Sequence, residues 1–283
     1  MPELNHKIIY EPDARIRKGL LNSWKEMFRE QFDSRGLVWR LFVRNFLARN
    51  KQSALGAAWA VAMPLAVVGV FAFLNRAGIM NVGATPVPYP VFALLGLTFW
   101  QLFATGLAGC TGSVAEGGGM VVKINFPKEA LVISALAQAV FEFIIRLALV
   151  IAVFWYYGVT PSRACLLFPL VLVPLVLLTL GLGFLFSLLH AVVRDTLNVV
   201  TLALTFLLFL TPVLYPASEE GLFAQFNFYN PLAALITGAR DLVLTGHMDS
   251  PLRYAAAALI SLLVFFGAWR IFHLVEPKMA ERI

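Results

Sequence analysis

Charge is scarce in this sequence. Asp, Glu, Lys and Arg make up 13% of its 283 residues, against 60% hydrophobic residues. A soluble domain carries about 25% charged residues, so there is too little polar side chain here to cover a water-facing surface. A soluble fold is excluded, and so is disorder, which needs abundant charge and few apolar residues. Cysteine is nearly absent as well. Cys110 and Cys165 are the whole complement, too few for a disulfide scaffold and in no metal or redox spacing.

The usual catalytic patterns are missing too. The four histidines, His6, His190, His247 and His273, are read as isolated, with no second histidine or cysteine at helical spacing. Neither G-x-S-x-G, H-E-x-x-H nor G-x-x-x-x-G-K-[ST] occurs, so the motifs of a serine hydrolase, a zinc protease and a P-loop ATPase are lacking. Loop carboxylates do not cluster, which counts against a membrane-embedded transferase. The chain is therefore read as not an enzyme, with no catalytic residue, no metal site and no bound cofactor of its own. Its first 35 residues alternate seven basic with six acidic residues around no apolar core, so no cleavable signal is predicted.

What the sequence does have is apolar blocks. No charged residue lies between Lys51 and Arg76, Arg76 and Glu116, Arg163 and Arg194, or Asp195 and Glu219. A helix needs roughly 20 apolar residues to cross the hydrocarbon, and a lone strand is excluded because lipid leaves its backbone groups unbonded. The prediction is an all-α integral membrane fold with six transmembrane helices, at about 54–74, 90–109, 130–157, 165–189, 197–215 and 254–273. A cytoplasmic and interfacial segment, 1–50, precedes this domain of residues 51–275, and a tail, 276–283, follows it. The run Gly83-Ala84-Thr85-Pro86-Val87-Pro88-Tyr89-Pro90 cannot continue a helix, so it forms a loop. Pro231 to Leu244 is mostly apolar within the otherwise polar stretch 216–253, and predicts short re-entrant helices.

Basic residues orient these spans. With the N-terminus inside, the inner segments hold 17 Lys and Arg and the outer loops hold four, Arg76, Arg163, Arg240 and Arg253. That bias predicts both termini on the cytoplasmic side. The net charge of +6 then faces anionic lipid and cytoplasmic partners, and no nucleic-acid partner is inferred from it. In this topology Cys110 and Cys165 lie at opposite membrane faces and cannot bridge.

Four groups of residues stand out as candidate sites. Ile16, Leu20, Leu21, Trp24, Met27, Phe28 and Phe32 recur at helical spacing, and a second stretch sets Trp39, Leu41, Phe42 and Phe46 among Arg40, Arg44 and, a little further on, Arg49. Both predict amphipathic helices lying on the bilayer surface, either as a topology anchor or as a guard over a cytoplasmic entrance. The loop 110–129 runs Glu116, a triple glycine, then Val121, Val122, Lys123, Ile124, Phe126, Pro127 and Lys128, a composition that suits a short helix docked on a partner or a loop folded back on the bundle. Ser134, Gln138, Glu142 and Arg146 recur every fourth residue, one polar stripe on the third span. Glu142 lies about 18 Å along that helix, near mid-membrane, where it either pairs with Arg146 or lines a pathway. Tyr89, Trp100 and Tyr215, near helix ends, are candidate pore or interface aromatics and also fit an interfacial belt.

Several stretches carry a family resemblance. Val43 to Trp59 (VRNFLARNKQSALGAAW) with Met63-Pro64-Leu65, then Lys123-Ile124-Asn125-Phe126-Pro127, Val193-Arg194-Asp195, Thr211-Pro212-Val213-Leu214-Tyr215 and Asn230-Pro231-Leu232, in that order, resemble ABC-2-type polysaccharide export permeases over roughly residues 36–275. The resemblance implies a homodimer of this chain around a central pore, with two copies of a separate ATP-binding-cassette ATPase docked below. ATP and Mg would be bound by that ATPase. Lipid-linked polysaccharide of O-antigen, capsule or teichoic acid type would be the cargo, crossing the bacterial inner membrane among its lipids. A drug or small-molecule exporter of the same class is the alternative, and a secondary transporter is disfavoured because no internal repeat is visible.

Overall fold

Each apolar block becomes a helix because lipid leaves the backbone no other partner. The computed structural model of the chain describes residues 20–51, 58–79, 82–117, 126–217 and 220–279. Ten α-helices lie among the described residues: α1 (Leu20–Asp33), α2 (Arg35–Lys51), α3 (Trp59–Arg76), α4 (Tyr89–Glu116), α5 (Glu129–Tyr156), α6 (Phe168–Val192), α7 (Thr196–Leu210), α8 (Leu222–Tyr229), α9 (Pro231–Leu244) and α10 (Pro251–Met279). A 3₁₀ turn, Arg163–Leu167, leads into α6. No strand occurs among the described residues.

Five helical stretches are long and apolar enough to cross a membrane: α3, α4, α5, the turn joined to α6, and α10. The remaining predicted span, 197–215, differs. Its helix α7 is 15 residues, or about 22 Å against a hydrocarbon core of about 30 Å. It stops at Thr211, which is extended at φ −97°, ψ 138°, because the ring of the following Pro212 disfavours helical geometry in the residue before it. Thr211 to Leu214 then run as buried, non-helical chain.

α4 forms the centre, with 78% of its apolar window buried, while α3 at the rim has 11%. Around α4 pack α3, α5, α6, α7 and α9, and α6 lies between α4 and α10. Small residues permit this closeness. A Cβ on Gly96 would run into the Val213 carbonyl, and one on Gly181 would come 2.8 Å from the Phe265 backbone. α4 also outruns its predicted end at 109 and reaches Glu116. Thr111 and Ser113 donate their hydroxyls back to the carbonyls of Leu107 and Cys110 at 2.7 Å, so polar residues cost little in this buried turn.

α1 and α2 are the described helices of the N-terminal segment. Trp24 meets Phe266 and Trp269 of α10 edge-on at 5.6 and 5.9 Å. Phe42 and Phe46 of α2 meet Phe141 of α5 at 6.0 and 4.9 Å. Aromatic side chains of α1 thus pack against α10, and those of α2 against the middle of α5.

Candidate functional site

The polar stripe of α5 opens onto a cavity of about 530 Å³ between α3, α4, α5 and α7, whose wall includes Trp59, Trp100, Gln101, Gln138, Glu142, Arg146, Thr201 and Thr205. Arg146 Nη2 donates to Glu142 Oε2 at 2.9 Å, with the side chains 5% and 13% exposed. One turn of helix separates the two, so the pair forms within α5 without help from another element. Ion pairing keeps both charges tolerable in an apolar surround.

A second cavity, about 660 Å³, shares Thr105, Gln138 and Glu142 with the first and runs to Arg44, Ser113, Glu116 and Gly117. Together they make a track of amides, hydroxyls and one ion pair from the α2 face and the end of α4 into the helix layer. Trp59, Trp100, Phe46 and Phe141 supply its apolar wall. Such a track offers hydrogen bonds to hydroxyl-rich cargo and flat rings to its C–H faces.

The other expected residues distribute differently. Tyr89 is buried at the first turn of α4, and Tyr215 donates its hydroxyl to Phe209 O at 2.6 Å, tying the chain after α7 to the end of that helix. Trp39, Arg40 and Arg44 are exposed on α2, and Arg44 donates to Asn45 Oδ1. Arg49 falls in α2, its side chain outside the described residues. Val121, Val122, Lys123 and Ile124 also lie outside them. Glu116 is exposed at the end of α4.

Phe126 and Lys128 reverse one expectation. Read from sequence as partner-facing, both turn inward, at 8% and 5% exposure. Phe126 packs with Leu41, Ala130 and Leu131, so burial inside the chain, rather than under a partner, satisfies its ring. Lys128 donates its backbone N–H to Glu276 Oε1 at 2.8 Å and places its ammonium 3.5 Å from the same oxygen.

That contact belongs to a buried cluster that sequence reasoning missed. His273, read as isolated, lies 3.0 Å from Glu129 Oε1 and 3.9 Å from Glu30 Oε2 through Nδ1. α1, α5 and α10 meet here, tying the start of α5 to the last long helix. The carboxylates of Glu129 and Glu276 also sit at the positive end of α5. Glu129, His273 and Glu276 bring ligand atoms within 4.8 Å of one another, so these three could hold a cation, though the Lys128 ammonium already sits against Glu276. The i, i+3 spacing of His273 and Glu276 was a visible signal. Nothing in the sequence paired either with residue 129.

On the opposite side of the molecule, Asn230 caps α9 by accepting from Leu232 N at 3.0 Å and donates to Thr211 Oγ1 at 3.1 Å. Arg240 of α9 donates to the carbonyls of Pro212 and Val213 at 3.1 and 3.2 Å. These bonds satisfy the non-helical backbone after α7.

Residues 36–244 match the family described as ABC-2 type transporter. The chain belongs to that family. It is 28% identical over 264 residues to the O-antigen export system permease protein RfbA of Myxococcus xanthus, covering 91% of this chain and 99% of that one. It is 29% identical to a Klebsiella pneumoniae protein of the same name, covering 84% and 91%. The polysialic acid transport protein KpsM of Escherichia coli is 23% identical, with 84% and 93% covered. In this ABC-2 type transporter chain the family match includes α2 to α9 and both cavities. His273 and Glu276 lie beyond it.

Proposed function

We propose that the chain is the transmembrane permease subunit of an ABC exporter that moves a lipid-linked polysaccharide of O-antigen or capsule type across the bacterial inner membrane. Its support is the polar, aromatic-walled track in a family member similar to polysaccharide exporters along most of its length. The track presents hydrogen-bonding groups where lipid would present none, which is what a hydroxyl-rich cargo needs to leave water.

The reading includes six crossings, with α7 and the buried chain after it as the fifth, and both termini cytoplasmic. α8 and α9 are re-entrant on the outer side, where buried non-helical chain is tolerated. α3 and α7 expose Met63, Val70, Phe73, Val199, Leu202 and Phe206, apolar faces that suit a second copy of the chain beside the track. Two separate ATPase chains bind ATP and Mg and press on the 116–128 loop. The Lys128–Glu276 and Glu129–His273 contacts carry that displacement to α10.

The test is genetic and biochemical together. A strain lacking this chain should lose surface glycan and regain it with the wild-type gene. Gln138→Leu with Thr205→Leu, which removes hydrogen bonding from the track, should fail to restore glycan while still co-purifying the ATPase. Unaltered glycan in the deletion strain, or export of a small molecule in its place, would overturn the assignment.

A further inference from the structure

Some 20 residues along α10 from His273, or about 30 Å, a separate cavity of about 600 Å³ lies under α9, against α8, the 86–88 loop and the first turn of α10. Its volume falls in the roughly 300–1,000 Å³ range of small-molecule sites. It shares no lining residue with the two cavities of the track.

Two guanidinium groups are built into it. Arg240 is 2% exposed, stacks over the Phe92 ring at 3.8 Å, and is held by the Pro212 and Val213 carbonyls. Arg253 stacks over Phe228 at 5.1 Å and donates to Asn227 O at 2.9 Å. Each is therefore fixed by backbone on one edge and by an aromatic ring on its face. In each the Nε–H is buried and has no hydrogen-bond partner. A buried donor without a partner costs about 1–3 kcal/mol, and a ligand oxygen would remove that penalty.

The acceptors are equally specific. Asp241 and Asp249 line the same cavity, so its two cations face two anions. An anionic ligand would gain from the arginines and lose to the aspartates. A neutral polyol suffers no such conflict, because a hydroxyl donates to carboxylate and accepts from guanidinium at once. Phe228, at the wall, keeps an exposed ring of the kind that packs on the C–H face of a pyranose.

We infer that this cavity is a saccharide subsite for neutral pyranose units of the exported polymer, on the side where the chain leaves the permease. The subsite rests on the polysaccharide-export reading and adds to it a second glycan contact outside the track. Holding the leading sugars there would disfavour backward sliding.

Saturation-transfer NMR on the whole permease in nanodiscs tests it. The probes are methyl glycosides of the neutral sugars released from the cell's own surface glycan, with methyl glucuronoside and inorganic phosphate as anionic arms. A neutral glycoside should bind, weakening about tenfold in Asp241→Asn and in Arg253→Gln as one charged hydrogen bond is lost. Ser250→Trp, which obstructs the cavity from an exposed position, should remove the same component of transfer that Asp241→Asn and Arg253→Gln weaken. Preference for phosphate or the glucuronide, or equal binding by all variants, overturns the neutral-sugar assignment. A wild-type permease that exports glycan yet binds no neutral glycoside overturns the subsite and leaves the export reading standing. A deletion strain with unaltered surface glycan removes the export reading itself.

Discussion

Glu142 and Arg146 are the two charges that an apolar span tolerates least, and each is tolerated because of the other. Their 2.9 Å contact makes the effects of single substitutions interdependent. Removing one partner of a buried pair typically costs about 3–5 kcal/mol, because the other charge is left uncompensated. Glu142→Ala or Arg146→Ala should therefore lower the detergent melting temperature more than the double change does. Strictly additive losses would show that the two charges are stabilised by other groups. Asp241 behaves in the opposite sense. Burial pushes its carboxyl up to about 6 from 3.8, although Arg240 pulls it down. Below about pH 4 the native and unfolded forms are both protonated, and the shift contributes nothing. As pH rises to 6 the native state retains a proton the unfolded state has lost, so stability falls, and the penalty is complete above 6. Asp241→Asn should match the wild type in melting temperature at about pH 3, below both values, and exceed it at pH 7. A variant less stable than wild type at pH 7 would contradict this sign.

At the scale of elements, the loop before α5 separates into two roles. Its C-terminal end is structural: Phe126 fills the contact between α2 and the first turn of α5, and Lys128 is held by α10. Phe126→Ala should cost about 3–5 kcal/mol, as other buried phenylalanine truncations do, and should loosen α2 from α5. Lys123→Glu tests the other role. It should leave the melting temperature unchanged and weaken co-purification of the ATPase or uncouple its turnover from glycan export. If Phe126→Ala is as stable as wild type, the inward packing carries no energy. If Lys123→Glu binds and couples normally, the loop is not the docking element. The end of α7 is a similar case of local chemistry with a distant partner. Pro212 stops the helix, and Arg240, 28 residues later, satisfies the carbonyls that the break exposes.

For the whole molecule, the asymmetry of 17 inner to four outer basic residues gives an orientation that can be tested directly. A membrane-impermeant thiol reagent applied to intact spheroplasts should label Glu219→Cys and not Lys123→Cys. The reverse pattern would invert the topology, placing the ionic cluster of α5 and α10 outside and the saccharide cavity inside. The two sites lie toward opposite ends of α10, with the track between α3, α4, α5 and α7 beside them. This arrangement suits a permease pushed from one face and releasing cargo at the other.

The sequence by itself determined the class and most of the elements. Composition excluded a soluble fold, charge-free blocks marked the long helices to within a few residues at most ends, and the four-residue repeat placed Gln138, Glu142 and Arg146 on one face. These are properties of a single helix in lipid, where backbone bonding is internal and side-chain periodicity is local. Tertiary structure decided what depends on neighbours far along the chain. The ends of α7 and α4 are local instead: Pro212 stops the one, and hydroxyls bonding back along the helix carry the other past its predicted end. Tertiary structure buried Phe126 and Lys128, for which composition had left a partner surface and a fold back on the bundle equally open. It also brought His273 and Glu276 to Glu129, and Arg240 to the chain after α7. Those pairings, with that of Lys128 and Glu276, join residues 27 to 148 positions apart, and no periodicity within one helix can encode which helix will stand beside it.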